Sequence, residues 1–346
     1  MRSYFIYACV VTISLVIVAE VYLRVTGRYA TYSESIGREY TSNYNVVLPD
    51  WYKVHWPGKD YTPVNSDFHY PYEINSVGLR ERKFEKQKPD SAIRIFVTGD
   101  SFSEGQGAPY DSTWPHLLQK YLTGDGIKAE VLNTGVAGSD PVYNYVLHRD
   151  KLKGYKADYI IVPVNSSDFT DYMMRGGFER FYADGTTHYK KGPAYETIYK
   201  YSFLARGIIE RAGKFPFRGI FANEQDFSVS ADKAITCYES VVDSFVNLVA
   251  HDSAQVIVLL FATPAEIRYQ SNVINKFYQC FNTFQKHLSD KNIVCINVWD
   301  ELKGQLSDKK IMQYTYPNDA HYNPYGYNLM SELVEKQLLQ KQIIKR

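Results

Sequence analysis

Ile93-Arg94-Ile95-Phe96-Val97-Thr98-Gly99-Asp100-Ser101-Phe102-Ser103-Glu104-Gly105 sets a short apolar run directly before a Gly/Asp/Ser turn. Ile93 to Thr98 reads as a strand buried on both faces, because Ile95, Phe96 and Val97 are apolar in succession and not confined to alternate residues. Glu130 to Asn133, Tyr159 to Val164, Val256 to Phe261 and Ile293 to Val298 have the same character. Helical stretches such as Thr113 to Leu122 and Ser240 to Ala250 separate them. This alternation predicts an α/β fold with a doubly wound parallel sheet and helices on both faces. The order of the strands is not visible in the sequence.

About ninety residues separate the third run from the fourth, more than a crossover needs, so residues of about 171–230 are expected to form an insertion. Upstream, residues 29–90 carry Pro49, Pro57, Pro63, Pro71 and Pro89 with Trp51 and Trp56, and hold neither period for long. An extended segment packed on the domain is expected there. The domain itself is expected over residues 91–346.

The N-terminus is of another kind. No residue from Ser3 to Ala19 is charged, and the apolar stretch runs past Glu20 to Leu23, close to the ~20 residues of a bilayer-spanning helix. The stretch is longer than a usual signal core and no Ala-x-Ala site follows it, so residues 1–28 are expected to be an uncleaved anchor, with a cleaved signal as the alternative. Arg2 on one side and Arg24 and Arg28 on the other leave the orientation open. The domain is expected outside the cytoplasm, since large domains translocate largely regardless of flanking charge.

Composition narrows the partners. A chain of 346 residues, 45% hydrophobic and 22% charged, is an ordinary globular protein, and a formal charge of +1 supplies no basic stripe for nucleic acid. Cys9, Cys237, Cys280 and Cys295 form no CxxC pair and no zinc spacing with histidine, so neither a metal nor another cofactor is expected. Cys237 with Cys280 is the only plausible disulfide.

In such sheets ligands bind just past the carboxyl ends of the strands. There stand Gly99 to Gly105, then Thr134-Gly135-Val136-Ala137-Gly138, then Asn165-Ser166-Ser167-Asp168. Ser101 is flanked by glycines but needs a base to become a nucleophile; no Gly-Lys-Ser/Thr makes the turn a phosphate loop. A base is available in Pro317-Asn318-Asp319-Ala320-His321-Tyr322-Asn323-Pro324, where Asn323 is a good N-cap and Pro324 suits the first helical turn. His321 therefore lies in a loop ahead of a helix, with Asp319 available to orient its ring. Either motif alone is commonplace: Gly, Asp and Ser populate plain turns, and a loop histidine is usually solvated. His116, beside Leu117 and Leu118, reads as a helix-surface or core histidine.

Taken together, Gly99 to Gly105, Asn133 to Gly138 and Asp319-Ala320-His321 resemble, in order and position, the motifs of the SGNH (GDSL-like) hydrolases. The resemblance spans roughly residues 70–340. Glu20 to Arg24, Asn75-Ser76-Val77-Gly78-Leu79-Arg80 and Arg94 to Gly105 are similar to a bacterial branch of that family with an N-terminal membrane segment. It implies a flavodoxin-like parallel sheet of about five strands, Ser101 as nucleophile, His321 as general base and then acid, and Asp319 as orienting acid. The amides of Ser101 and Gly138 would form part of an oxyanion hole.

Two departures stand out. Where the family usually has Asn before Asp as a third oxyanion donor, Ser167 precedes Asp168; the Ser167 hydroxyl substitutes, Asn165 reaches in, or the hole lacks one donor. The most usual acid position, three before the histidine, is Asn318, so Asp319 follows a less common Asp-x-His spacing. The expected activity is hydrolysis of acyl, chiefly acetyl, esters on a cell-envelope glycan or lipid. The alternatives are an O-acyltransferase on a polysaccharide using the same nucleophile, or a non-catalytic polysaccharide-binding component. Tyr172, Tyr182, Tyr189, Tyr195, Tyr199 and Tyr201 could stack on sugar rings, or simply cover half-exposed surface.

Overall fold

The computed structural model describes residues 2–26, 45–47, 53–55, 57–63, 65–82, 85–169, 177–178, 198, 201–211, 225–250, 252–268, 272–306 and 308–345. The expected insertion falls largely outside these residues, as do all the singled-out tyrosines except Tyr201. The side chains of Cys237 and Cys280 also lie outside the described set.

An apolar helix, α1 (Arg2–Thr26), comes first and is long and apolar enough to cross a membrane. A short antiparallel pair follows, β1 (Asn45–Val47) with β2 (Lys53–His55). The main sheet has five parallel strands: β3 (Ile93–Val97), β4 (Ala129–Asn133), β5 (Tyr159–Val164), β6 (Gln255–Leu260) and β7 (Val294–Asn297). Their order is β4-β3-β5-β6-β7, the flavodoxin-like order.

Successive residues of a strand face opposite sides of its sheet. Ile160, Ile161 and Val162 are all buried, as are Ile257, Val258 and Leu259, so both faces are covered. That double burial is why these strands read as unbroken apolar runs. Helices α3 (Trp114–Gly124) and α10 (Pro324–Gln340) pack together. Helices α4 (Pro141–Leu147), α6 (Gln225–Ala250) and α8 (Asn272–Asp290) form a second packed group. The remaining helices are α2 (Ser101–Glu104), ahead of α3, and α5 (Phe203–Arg211), α7 (Pro264–Arg268) and α9 (Trp299–Gln305) further along the chain.

β5 has the expected bounds, and the other strands agree with the sequence expectation to within one residue at each end. One helix differs more: α6 begins at Gln225, not near Ser240, and so enters the stretch expected to be insertion. Val241, Val242, Phe245 and Val249 are its buried stripe, and that stripe alone is what its later half displays in sequence.

Candidate active site

Strand order reverses around β3, and Ser101 opens the one-turn helix α2 just beyond its carboxyl end. Asp100 caps that turn, its Oδ1 accepting from Phe102 N at 2.9 Å. Burial pushes the Asp100 carboxyl above its ordinary range, against that hydrogen bond. Gly99 has φ +119°, and a Cβ there would stand 2.4 Å from Ser103 Oγ, so only glycine lets the strand turn this sharply into the helix.

Asn323 caps α10 by accepting from Tyr325 N at 3.0 Å and Gly326 N at 3.1 Å. This fixes the preceding loop. The buried Tyr322 donates its hydroxyl to Ala262 O at 2.5 Å, and the His321 ring packs 4.8 Å from that of Phe102. His321 Nε2 lies 2.7 Å from Ser101 Oγ, and His321 Nδ1 lies 2.6 Å from Asp319 Oδ1. The same carboxylate oxygen accepts from His321 N at 2.9 Å.

Burial alone would raise the Asp319 carboxyl. The hydrogen bond and charge of His321, with a donor from Asn65, more than reverse this and hold it down to about 2. An ionised carboxylate only accepts, so Nδ1 of His321 carries the proton and Nε2 is left to accept from the Ser101 hydroxyl. This arrangement can deprotonate Ser101 when the hydroxyl attacks.

The glycine-containing loop after β4 is drawn against the Ser101 turn: Val136 N donates to Gly99 O at 2.9 Å, and Ser139 Oγ donates to the same carbonyl at 2.7 Å. Gly138 lies between them with φ +72°. Beyond β5, Asn165 Oδ1 accepts from Ser167 N at 2.8 Å and from Ser167 Oγ at 2.5 Å, while Asn165 Nδ2 faces Asp100 Oδ2 at 3.5 Å. Asn165 therefore comes to the Ser101 turn, and the Ser167 hydroxyl is committed to Asn165. Among the described residues no three His, Cys, Asp or Glu side chains gather to hold a metal. His116 stands 3.4 Å from Asp111 and packs on Tyr110, apart from these groups.

The sequence profile described as GDSL-like Lipase/Acylhydrolase matches residues 95–334. The chain belongs to the GDSL-like lipase/acylhydrolase family. No curated protein sequence matches it. Solved structures similar to it include an α/β hydrolase from the metagenome of Lake Arreo, Spain, at 13% identity over 73% of this chain and 96% of that one, TM-score 0.47. A lipase/acylhydrolase from Enterococcus faecalis is 11% identical over 71% and 95%, TM-score 0.43. The acetyl xylan esterase AlAXEase is 15% identical over 71% and 100%, TM-score 0.42.

Around the GDSL-like motifs the structure adds residues that sequence reasoning did not single out. Asn65 Nδ2 donates to Asp319 Oδ2 at 2.8 Å, and Gln106 Nε2 lies 3.4 Å from the same oxygen. Asp67 accepts from Asn318 N at 2.8 Å and from Asp319 N at 2.7 Å. Arg80, wholly buried beneath the Tyr72 ring, donates to the carbonyls of Glu104, Gly105 and Ala108. His55 Nε2 donates to the Glu104 carboxylate, both side chains buried. All of these but Gln106 come from residues 53–80. Arg80 sits in the branch-like run Asn75 to Arg80, whereas Asn65, Asp67 and His55 carry no local pattern that marks them.

Proposed function

We propose that the chain is a serine ester hydrolase in which Ser101, His321 and Asp319 act as nucleophile, base and orienting acid. The observation that carries this reading is the unbroken run of hydrogen bonds from Ser101 Oγ through His321 to Asp319 at 2.7 and 2.6 Å. Ser101 Oγ attacks the acyl carbon while its proton passes to His321 Nε2. The tetrahedral oxyanion is held by the amides of Ser101 and Gly138, with Asn165 Nδ2 as third donor and Ser167 orienting it through Asn165 Oδ1. His321 then gives its proton to the leaving alcohol, the C–O bond breaks, and an acyl-enzyme remains. Water repeats the sequence and restores Ser101.

The substrate class is an acyl ester, with acetyl the first to test, on a glycan or lipid of the cell envelope. The reading of α1 as a retained, single-pass anchor, with the domain on the extracytoplasmic side, supports an envelope substrate over a dissolved metabolite. The contacts of Glu20 with α5, described below, support retention, since a cleaved signal would take that residue away.

Ser101→Ala should abolish turnover of p-nitrophenyl acetate and labelling by a fluorophosphonate probe, with the thermal transition of the protein unchanged. Turnover retained by Ser101→Ala would overturn the assignment. Absence of a Ser101 adduct in the folded wild type would favour a binding component. Ester appearing on an added glycan acceptor would make the same nucleophile a transferase.

A further inference from the structure

Glu20 lies within an otherwise uncharged apolar stretch, where a lone carboxylate is costly. Its oxygens are fully used. Oε1 accepts from Phe203 N at 2.9 Å and from Arg24 Nε at 2.8 Å; Oε2 accepts from Leu204 N and Ser202 Oγ, each at 2.9 Å. Glu20 thus caps the first turn of α5 from 183 residues away, meeting the unpaired amides and positive end of that helix. Arg24 donates to Tyr201 O and stands 5.0 Å over the Phe203 ring, with Arg206 4.3 Å over the same ring. The end of α1 and the start of α5 are therefore joined as one unit.

The depth of this junction follows from helix geometry. At 1.5 Å per residue, Glu20 is about 26 Å and Arg24 about 32 Å along the helix from Ser3. A bilayer's hydrocarbon core is about 30 Å thick, so with Ser3 at one boundary the Glu20–Arg24 junction is level with the other. Helix α5 starts at that level. Leu204, Ile208 and Arg211 follow one another at helical spacing along α5; Ile208 is 60% exposed, and Ile198 and Tyr201, just before the helix, are each 61% exposed. An exposed tyrosine leading into a helix with aliphatic side chains on one stripe and arginine at its end matches the membrane–water boundary.

We infer that α5 lies in the membrane interface, docked by Glu20 on the anchor and with Tyr201, Leu204 and Ile208 against lipid. This rests on the proposed retention of α1 in the bilayer. The partner is the bilayer surface itself, and the contact sets the domain's height and tilt above it.

The test uses the full chain in phosphatidylcholine/phosphatidylglycerol vesicles carrying a photoactivatable, carbene-generating acyl chain, with adducts mapped by mass spectrometry. Adducts are expected in residues 3–26 and in 198–211, but not at Met312 or Tyr325, which are exposed yet distant in the chain from α5. Labelling of 3–26 with 198–211 at the level of Met312 and Tyr325 overturns the inference while leaving the anchor standing. Loss of label from 3–26 as well overturns the anchor reading and the inference together. In Glu20→Ala, label at 198–211 should fall to that background with 3–26 still labelled; unchanged labelling overturns the docking role of Glu20.

Discussion

Asn65 donates its side-chain amide to Asp319 Oδ2 at 2.8 Å, the oxygen that His321 leaves unused. The two residues are 254 apart in sequence, and the contact makes a segment before the sheet part of the His321 partner's environment. Asn65→Leu should lower kcat about 10–100-fold with KM little changed, the kinetic equivalent of one hydrogen bond to a charged group of about 1.5–3 kcal/mol. Asn65→Asp should be worse at neutral pH, where it adds a like charge, and should recover towards acid pH as the new carboxyl protonates. Steady-state kinetics across pH with a soluble acetyl ester separate this from a folding defect, which would lower active-site titre at every pH.

Asp319→Asn should cut kcat by about 10³–10⁴, the loss expected when the base is held in the wrong tautomer. It should also change acid stability. The carboxyl is held down to about 2 in the folded chain against an ordinary 3.8. A depressed carboxyl contributes stability that is present above the unfolded value and lost as pH falls through the folded one. Urea melts of the wild type should therefore lose about 1–2 kcal/mol between pH 4 and 2 that the variant does not lose.

Asn165 and Ser167 should not be equivalent. Asn165→Ala is expected to lower kcat by about 10²–10³, as for loss of an oxyanion donor. Ser167→Ala removes only the hydroxyl that orients Asn165 and should cost about 1 kcal/mol, near fivefold. The reverse ranking would make Ser167 the donor.

His148 is buried, with its ring packed edge-on to Phe96 at 6.0 Å and tilted against Phe245 at 5.5 Å, and burial lowers it to about 4 from 6.5. A base depressed in the folded state leaves the unfolded chain binding more protons between these values, so stability falls as pH drops from 6.5 towards 4. His148→Phe should flatten that part of the stability profile by about 2–3 kcal/mol. Urea midpoints at pH 7 and pH 4.5 for both proteins measure it.

What sequence could display tracks how local each interaction is. The central strands β5 and β6 were legible because both faces are buried, leaving an unbroken apolar run in each. Asp319 and His321 were legible as a pair because two residues of chain already bring the carboxylate to the ring and to the His321 amide. The part of Glu20 in the cap of α5 was not: Ser202, whose Oγ accepts from Ala205 N at 3.1 Å, is a local signal, whereas the carboxylate comes from 183 residues away. Asn65-Ser66-Asp67 likewise looks like any polar turn, and only the folded chain brings it against Asn318 and Asp319. The bond from the Ser167 hydroxyl to Asn165 Oδ1 is also a matter of side-chain direction that no spacing encodes.

The hold of Arg80 and His55 on the turn after Ser101 bears on how the protein is best prepared for study. The family match begins at residue 95, which invites cutting there to obtain a soluble enzyme. Such a truncated form would leave the Glu104 carboxylate without its histidine, and the carbonyls of Glu104, Gly105 and Ala108 without their guanidinium. Recombinant versions that discard α1 should begin upstream of Lys53, so that purification delivers Ser101 on a turn with the same contacts it has in the intact chain.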